Sequence, residues 1–211
     1  MIYCDWKLYF QDEASTMMGG IIDLHDTLMY YLIFIVTFVF YFLIIKSKTY
    51  LKYWNHSTSI EIIWTIIPAI ILIIIAIPSF KLLYNLDSDL TPELTVKAIG
   101  NQWFWNYQIG DFTGLDIAFD SYLKADEELL EGELRLFEVD NRLVLPINTP
   151  IRFIVTGNDV IHSFALPVLG IKIDAIPGRL NTITTEILRS GIFFGQCSEA
   201  CRNKSLSWCR S

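Results

Sequence analysis

Two stretches of the chain carry no charge at all, Thr27 to Ile45 and Ile62 to Phe80. Each is 19 residues long, so as helix each reaches roughly 28 Å at about 1.5 Å per residue, close to the thickness of a bilayer's hydrocarbon core. A core helix of a soluble protein rarely runs that far without a charge, and the pattern predicts two membrane spans. Pro68 and Pro78 fall inside the second span, a placement that membrane helices tolerate when packed against neighbours. From Asp87 onward the pattern changes. Glu93–Ile99, Trp103–Ile109, Ile151–Val155, Leu180–Ile187 and Ile192–Gln196 are short runs of β-branched and aromatic residues. Turn formers separate them, among them Gly110, Gly114, Gly157-Asn158, Pro177-Gly178 and Ser190-Gly191. With no convincing amphipathic helix among them, these strands predict a Greek-key β-sandwich. The expected organisation is an N-terminal segment (1–26), a transmembrane helical hairpin (27–86) and an all-β domain (87–211).

Composition sharpens this picture in two ways. The chain is 53% hydrophobic, but that average hides an apolar anchor and an ordinary charged domain. Neither span looks like a secretory signal, and no Arg- and Ser-rich transit peptide is visible. Abundant Ile, Asn, Lys, Phe and Tyr, all read from A/T-rich codons, point to an organellar genome and to synthesis in the compartment of use.

Charge then orients the hairpin. Lys46, Lys48, Lys52 and His56 lie between the spans with no acid, whereas Asp5, Asp12, Glu13, Asp23 and Asp26 precede the first span against Lys7 alone. Positive loops stay on the side of synthesis, so the N-terminus and the β-domain are expected on the opposite side. Glu61 and Lys81 stand near the inner and outer ends of the second span. Each suits the helix dipole there, and Glu61 also has the position of a proton-path entrance. Between Asp111 and Asp140 there are ten acids against Lys124 and Arg135. Such a run fits a solvated loop, and equally a face that meets a cationic protein.

The candidate chemistry lies near the C-terminus. Of four cysteines, Cys197 and Cys201 stand four apart in Gly-Gln-Cys-Ser-Glu-Ala-Cys, directly after a predicted strand. A disulfide, a zinc site and a copper site compete for this pair. An oxidising compartment would favour the first; the spacing and the lack of a second pair disfavour the second. A copper site needs imidazole nearby. His162, in Asp-Val-Ile-His-Ser-Phe, supplies one, with the other two histidines in the membrane part. Cupredoxin-type sandwiches place a His and a Cys-bearing ligand loop at about this interval.

From about Ile21 to Cys201 the chain resembles subunit II of the haem-copper cytochrome c oxidases. The stretches that carry the resemblance are Gly-Ile-Ile-Asp-Leu-His at 20–25, Ile-Glu-Ile-Ile-Trp-Thr-Ile-Ile-Pro-Ala at 60–69 and Gly-Asn-Gln-Trp-Phe-Trp at 100–105. Glu-Val-Asp-Asn-Arg at 138–142, Asp-Ala-Ile-Pro-Gly-Arg-Leu-Asn at 174–181 and the cysteine motif at 195–201 complete the series. The resemblance implies a two-helix transmembrane hairpin with a cupredoxin-like domain and a binuclear copper A centre. It implies electrons accepted from cytochrome c and passed to the haem of subunit I, for oxygen reduction coupled to proton pumping. It further implies the mitochondrial inner membrane, with the N-terminus and the β-domain in the intermembrane space. Subunit I, other oxidase subunits and membrane lipid are the implied partners, with no nucleic acid.

By position, Cys197 and Cys201 match the bridging thiolates and His162 a terminal imidazole. Glu199 matches the residue whose carbonyl binds copper and whose carboxylate reaches a magnesium at the boundary with subunit I. Trp103 matches the aromatic at which electrons enter, Asp120 and Asp140 match acids of the cytochrome c docking face, and Glu61 matches the mouth of a proton channel. The chain departs from the family after Cys201, where Ser205 and Trp208 replace the second His and the Met. Neither side chain substitutes for imidazole or thioether. The departure is expected if the tail is read in a shifted frame or from an unspliced or unedited message. The alternative to a copper subunit is a scaffold that holds no metal. A quinol-oxidising relative, which lacks copper A, is disfavoured by the retained ligands.

Overall fold

The computed structural model describes residues 9–48, 57–86, 91–110 and 117–199, with the side chains of 46–48 outside the description. Two long helices come first, α1 (Thr16–Lys48) and α2 (Thr58–Leu86). Both exceed the charge-free runs that predicted them. Their apolar side chains, such as Phe34, Leu43, Leu72 and Ile77, are exposed along the length of each helix, as required of a surface that meets lipid. The two helices approach closely at Gly20, where a Cβ would come 2.7 Å from Leu82 Cδ1; small residues let membrane helices pack. Because α2 runs on to Leu86, Lys81 is not in its last turn, and the expected pairing of Lys81 with the helix dipole does not occur. Glu61 does stand in the first turn of α2. Lys52 and His56 lie outside the described residues.

Among the described residues the second unit holds seven strands: β1 (Leu94–Asn101), β2 (Phe104–Ile109), β3 (Ile117–Tyr122), β4 (Pro150–Gly157), β5 (His162–Leu166), β6 (Ile171–Ala175) and β7 (Asn181–Glu186). Five of them form one sheet in the order β3-β2-β1-β4-β7, while β5 and β6 pair separately. β1 is antiparallel to β2 and parallel to β4, so the chain crosses between sheets rather than meandering, as in a cupredoxin-like sandwich. Alternate residues turn inward: Val96 and Ala98 from β1, Trp105 and Tyr107 from β2, and Ile151, Phe153 and Val155 from β4. They meet Phe164, Val168, Leu169 and Ile171 from the smaller sheet and its 3₁₀ turn. Burying each large aliphatic or aromatic side chain contributes about 1.5–3 kcal/mol.

Four of the five predicted strands are present within a few residues of their predicted bounds. The fifth, Ile192–Gln196, is not a strand; only its last residue is tied across, by a bond from Gln196 N to the Ala165 carbonyl at 3.2 Å. β3, β5 and β6 were not predicted. Within the acidic stretch, residues 117–122 form β3 and residues 124–140 fold mainly as turns, where Lys124 pairs with Glu133, Arg135 with Asp126 and Arg142 with Glu138.

The described N-terminal residues, from Tyr9 to Gly19, belong to this β unit. Ala14 N donates to the Val168 carbonyl (3.1 Å), and Leu188 N donates to the Ala14 carbonyl (2.9 Å). Ser15, buried, caps α1: its Oγ accepts from Met18 N at 3.1 Å and donates to the Leu169 carbonyl at 2.8 Å. A Ser15→Ala chain loses the cap and orphans a buried carbonyl, a cost of about 1–2 kcal/mol. Hydrogen exchange at the Met18 amide is expected to speed up about tenfold.

Candidate metal centre

Gly100 and Gly157 pair across β1 and β4, and Trp105 pairs with Gly100 across β1 and β2. The space beside Gly100 is filled by a histidine. A Cβ at Gly100 would come 2.8 Å from His162 Cδ2 and 2.9 Å from its Cγ, so glycine is required here for close approach rather than for backbone freedom. Gly100→Ala is expected to push the imidazole off its seat and to lower thermal stability by about 1–3 kcal/mol. A melting curve on the purified chain checks this.

His162 opens β5 and is fully buried (0% exposed). Its ring meets Trp105 edge-on with centroids 6.0 Å apart, and its Nε2 lies 2.7 Å from Asp159 Oδ1. The Cys197 side chain is a further hydrogen-bonding neighbour of the ring. Burial works against the charged imidazole. The bonds to Cys197 and Asp159 outweigh it and raise the His162 pKa above the ordinary histidine value. Burial likewise opposes the Asp159 carboxylate, which hydrogen bonds from His162, Val160 N and Gln102 N hold below its usual range.

Cys197 is buried. Its Sγ accepts from Ser163 N at 3.5 Å and lies 3.8 Å from the Glu199 carbonyl oxygen. Backbone bonds from Gln196 N to Ala165 O (3.2 Å) and from Ser198 N to Ser163 O (3.1 Å) lay this cysteine alongside β5. A buried thiol, an imidazole fixed through Nε2 and a backbone carbonyl thus converge. This is a soft donor set of the kind that holds copper, with Asp159 as the outer partner that orients the histidine. Among the described residues no three His, Cys, Asp or Glu side chains assemble into a metal cluster. Cys201, Ser205 and Trp208 lie outside the described residues, as do Cys4 and Cys209.

Asp159 was not singled out in the sequence, where it looks like a turn former in Gly-Asn-Asp. It ties the centre to the surface. Its Oδ2 accepts from Gln102 N at 2.7 Å, in the turn that presents Trp103, a residue 57% exposed. Phe104, the next residue, stacks on Tyr122 with centroids 4.5 Å apart. Asp120 Oδ1 accepts from Asn106 Nδ2 at 2.7 Å. Asp140 Oδ1 accepts from Tyr122 N and Asn141 N, each at 2.7 Å, and Asn141 Nδ2 donates to the Asp120 carbonyl at 2.9 Å. Trp103, Asp120 and Asp140 therefore share one end of the β2–β3 hairpin, next to the turn tethered to Asp159. Glu61 is in the other unit, on α2, and is not part of this constellation. The side chain of Glu199 is exposed.

Comparison with known proteins identifies the family. Residues 94–208 match the family described as cytochrome C oxidase subunit II, periplasmic domain, and residues 4–82 match the transmembrane domain of the same subunit. The chain is 51% identical over 205 residues to cytochrome c oxidase subunit 2 of Pneumocystis carinii, covering 93% of this chain and 84% of that protein. With the same subunit of Schizosaccharomyces pombe it shares 53% over 207 residues, again 93% and 84%. The crystal structure of the periplasmic domain of subunit II of cytochrome oxidase from Bradyrhizobium japonicum aligns with a TM-score of 0.48 at 48% identity, covering 54% of this chain and 78% of that one. The two family matches together take in both the membrane hairpin and the β-domain with its buried His162 and Cys197, and on them the chain belongs to the cytochrome c oxidase subunit II family.

Proposed function

We propose that this chain is the electron-entry subunit of a cytochrome c oxidase, taking electrons from cytochrome c at a binuclear copper A centre. The observation that carries the reading is the placement of buried Cys197 alongside β5 next to buried His162, which is tied through Asp159 to the exposed Trp103 turn. His162, Cys197 and the Glu199 carbonyl would hold the metal, with Cys201 as second thiolate. When bound, copper supplies reversible one-electron transfer with little rearrangement.

The chain's own residues do the rest. Trp103 offers an aromatic ring to a partner, and Asp120 and Asp140 flank it with negative charge that favours a cationic one. Asp159 bonds both the turn behind Trp103 and the imidazole of His162, which shortens the route from surface to centre to a few hydrogen-bonded groups. β5, hydrogen-bonded on both sides, keeps His162 and the neighbouring cysteine still.

The assignment extends to the rest of the complex. Glu199 is proposed to reach a magnesium at the boundary with subunit I, and Glu61 to stand at the mouth of a proton channel. The electron's next stop is the haem of subunit I, and the site of action is the mitochondrial inner membrane. Hydrogen bonds of residues 12–15 to the β unit support an N-terminus and a β-domain on one side of the bilayer, joined by a two-span hairpin. The Lys-rich connection between the spans supports the intermembrane space as that side.

A specific observation supports a second reading. Ser205 and Trp208 stand where the family has its other His and Met, which favours a docking subunit without metal. Near-infrared absorption and EPR of the copper-reconstituted chain discriminate the two. A mixed-valence signal delocalised over two coppers is the expected result, and a chain that binds no copper, or only one, overturns it.

A further inference from the structure

We propose that Arg189 is a positioning residue that makes seating of the N-terminal segment a condition for the placement of Cys197. The proposal takes from the functional reading only the meaning of that placement; its geometry stands apart from copper.

Cys197 lies near the end of an arm, residues 187–198, that leaves β7 and returns to β5. At its start, Asn148 N donates to the Ile187 carbonyl at 2.8 Å and Leu188 N to the Ala14 carbonyl at 2.9 Å. At its end, Gln196 and Ser198 bond β5. Among the described residues no backbone–backbone hydrogen bond engages 189–195. Over that gap the brace is a side chain. Arg189 Nε donates to the Glu13 carbonyl at 3.0 Å, and a terminal guanidinium nitrogen donates to the Asp12 carbonyl at 2.9 Å. The same guanidinium lies over the ring of Phe193, 5.0 Å from its centroid.

Phe193 in turn packs against the core four residues before Cys197. One planar cation thus grips two carbonyls of a segment more than 170 positions away and a ring of its own arm. A lysine ammonium, a point charge without a flat face, cannot do both. Behind the arm is a cavity of about 450 Å³ lined by Arg189, Phe193, Phe194, Leu143, Leu145 and Tyr107. It gives Phe193 room to move once the brace is released. With residues 12–15 out of place, Arg189 loses both acceptors, Phe193 loses its cover, and the thiol leaves its buried position.

The test uses the full-length chain in detergent, free of copper and with its thiols reduced. Alkylation of Cys197 is timed by peptide mass spectrometry, which separates it from the other cysteines. Arg189→Ala is expected to label at Cys197 at least about tenfold faster than wild type, and Arg189→Lys within about threefold of Arg189→Ala. Ala14→Arg, which evicts the buried Ala14 and leaves Arg189 intact, should reproduce the increase. The double variant should add nothing further, since both changes break one coupling. Wild-type labelling in Ala14→Arg, wild-type protection in Arg189→Lys, or additive effects in the double variant would each overturn the proposal. Where Arg189→Ala does not fold, Phe193→Leu breaks the stack and keeps the carbonyl clamp. It should label Cys197 about threefold faster with unchanged exchange at the Met18 amide, and unchanged labelling refutes the brace. Copper loading is measured separately, so failure of the copper reading leaves the thiol result intact.

Discussion

Replacing His162 with alanine is expected to remove copper from the purified chain, with affinity falling by at least about 100-fold. The floor comes from outer-shell partners, whose loss alone costs about 10–100-fold in metal sites; here the imidazole itself goes. The change also empties the space beside Gly100 and takes away the group that Asp159 and Cys197 share. Asp159 retains its bonds from Gln102 N and Val160 N and keeps partial contact with solvent, so its carboxylate is not stranded. The fold should therefore survive, and metal content per chain, read beside an unchanged far-UV spectrum, separates a lost ligand from a lost domain. Asp159→Asn is the graded companion: it keeps the ligand, loosens its orientation, and should fall inside the 10–100-fold range.

The largest effect on stability is expected at Trp105. Its side chain is fully buried (0% exposed) and meets Phe164 edge-on at 5.2 Å and His162 at 6.0 Å. Truncation to alanine removes the largest side chain from the point where both sheets and the histidine converge. The cost is about 3–5 kcal/mol, and for a domain of this size the melting temperature should fall by more than about 10 °C. Trp105→Phe should behave differently. The indole Nε1 is buried without a hydrogen-bond partner among the described residues, and such a donor carries a desolvation penalty of about 1–3 kcal/mol. Phenylalanine gives up ring area and also removes that penalty, so its net cost is expected below about 1.5 kcal/mol. Paired melting curves decide it: equal losses in the two variants would show that Nε1 is satisfied in solution.

What the sequence revealed follows from how local each signal is. The two spans were legible because nineteen successive uncharged residues have few other uses. Their ends were not, because α1 continues through Asp23, His25 and Asp26 without a break in helix propensity. β1, β2 and β4 announced themselves by runs of β-branched and aromatic residues, each with one face in the core. β5 had no such signature: His162 to Ala165 are all buried, and a strand enclosed on both faces shows no period. Ile192–Gln196 misled for the opposite reason. Its aromatic and β-branched residues suit a strand, yet Phe193 packs inward and, among the described residues, only Gln196 at its end makes a backbone bond to another element.

Cys197 and His162 were singled out by residue type and by resemblance, since few groups can serve as soft ligands. Asp159 was missed because an acid in an Asn-Asp turn explains itself locally. Arg189 and Ser15 were missed because their partners are 154 to 177 positions away, and no windowed pattern reaches that far.

Those separations also bear on how the chain is made. Closing a contact between Ser15 and Leu169 in a free chain means ordering a loop of about 150 residues, and contacts of such long range form slowly. Insertion of a two-helix hairpin removes most of that search, because it delivers the segment before α1 and the segment after α2 to the same face of the bilayer. A membrane-inserted hairpin would thus serve the β-domain as a template, and the seating of residues 12–15 becomes a step in completing a β-sandwich encoded more than 150 positions away.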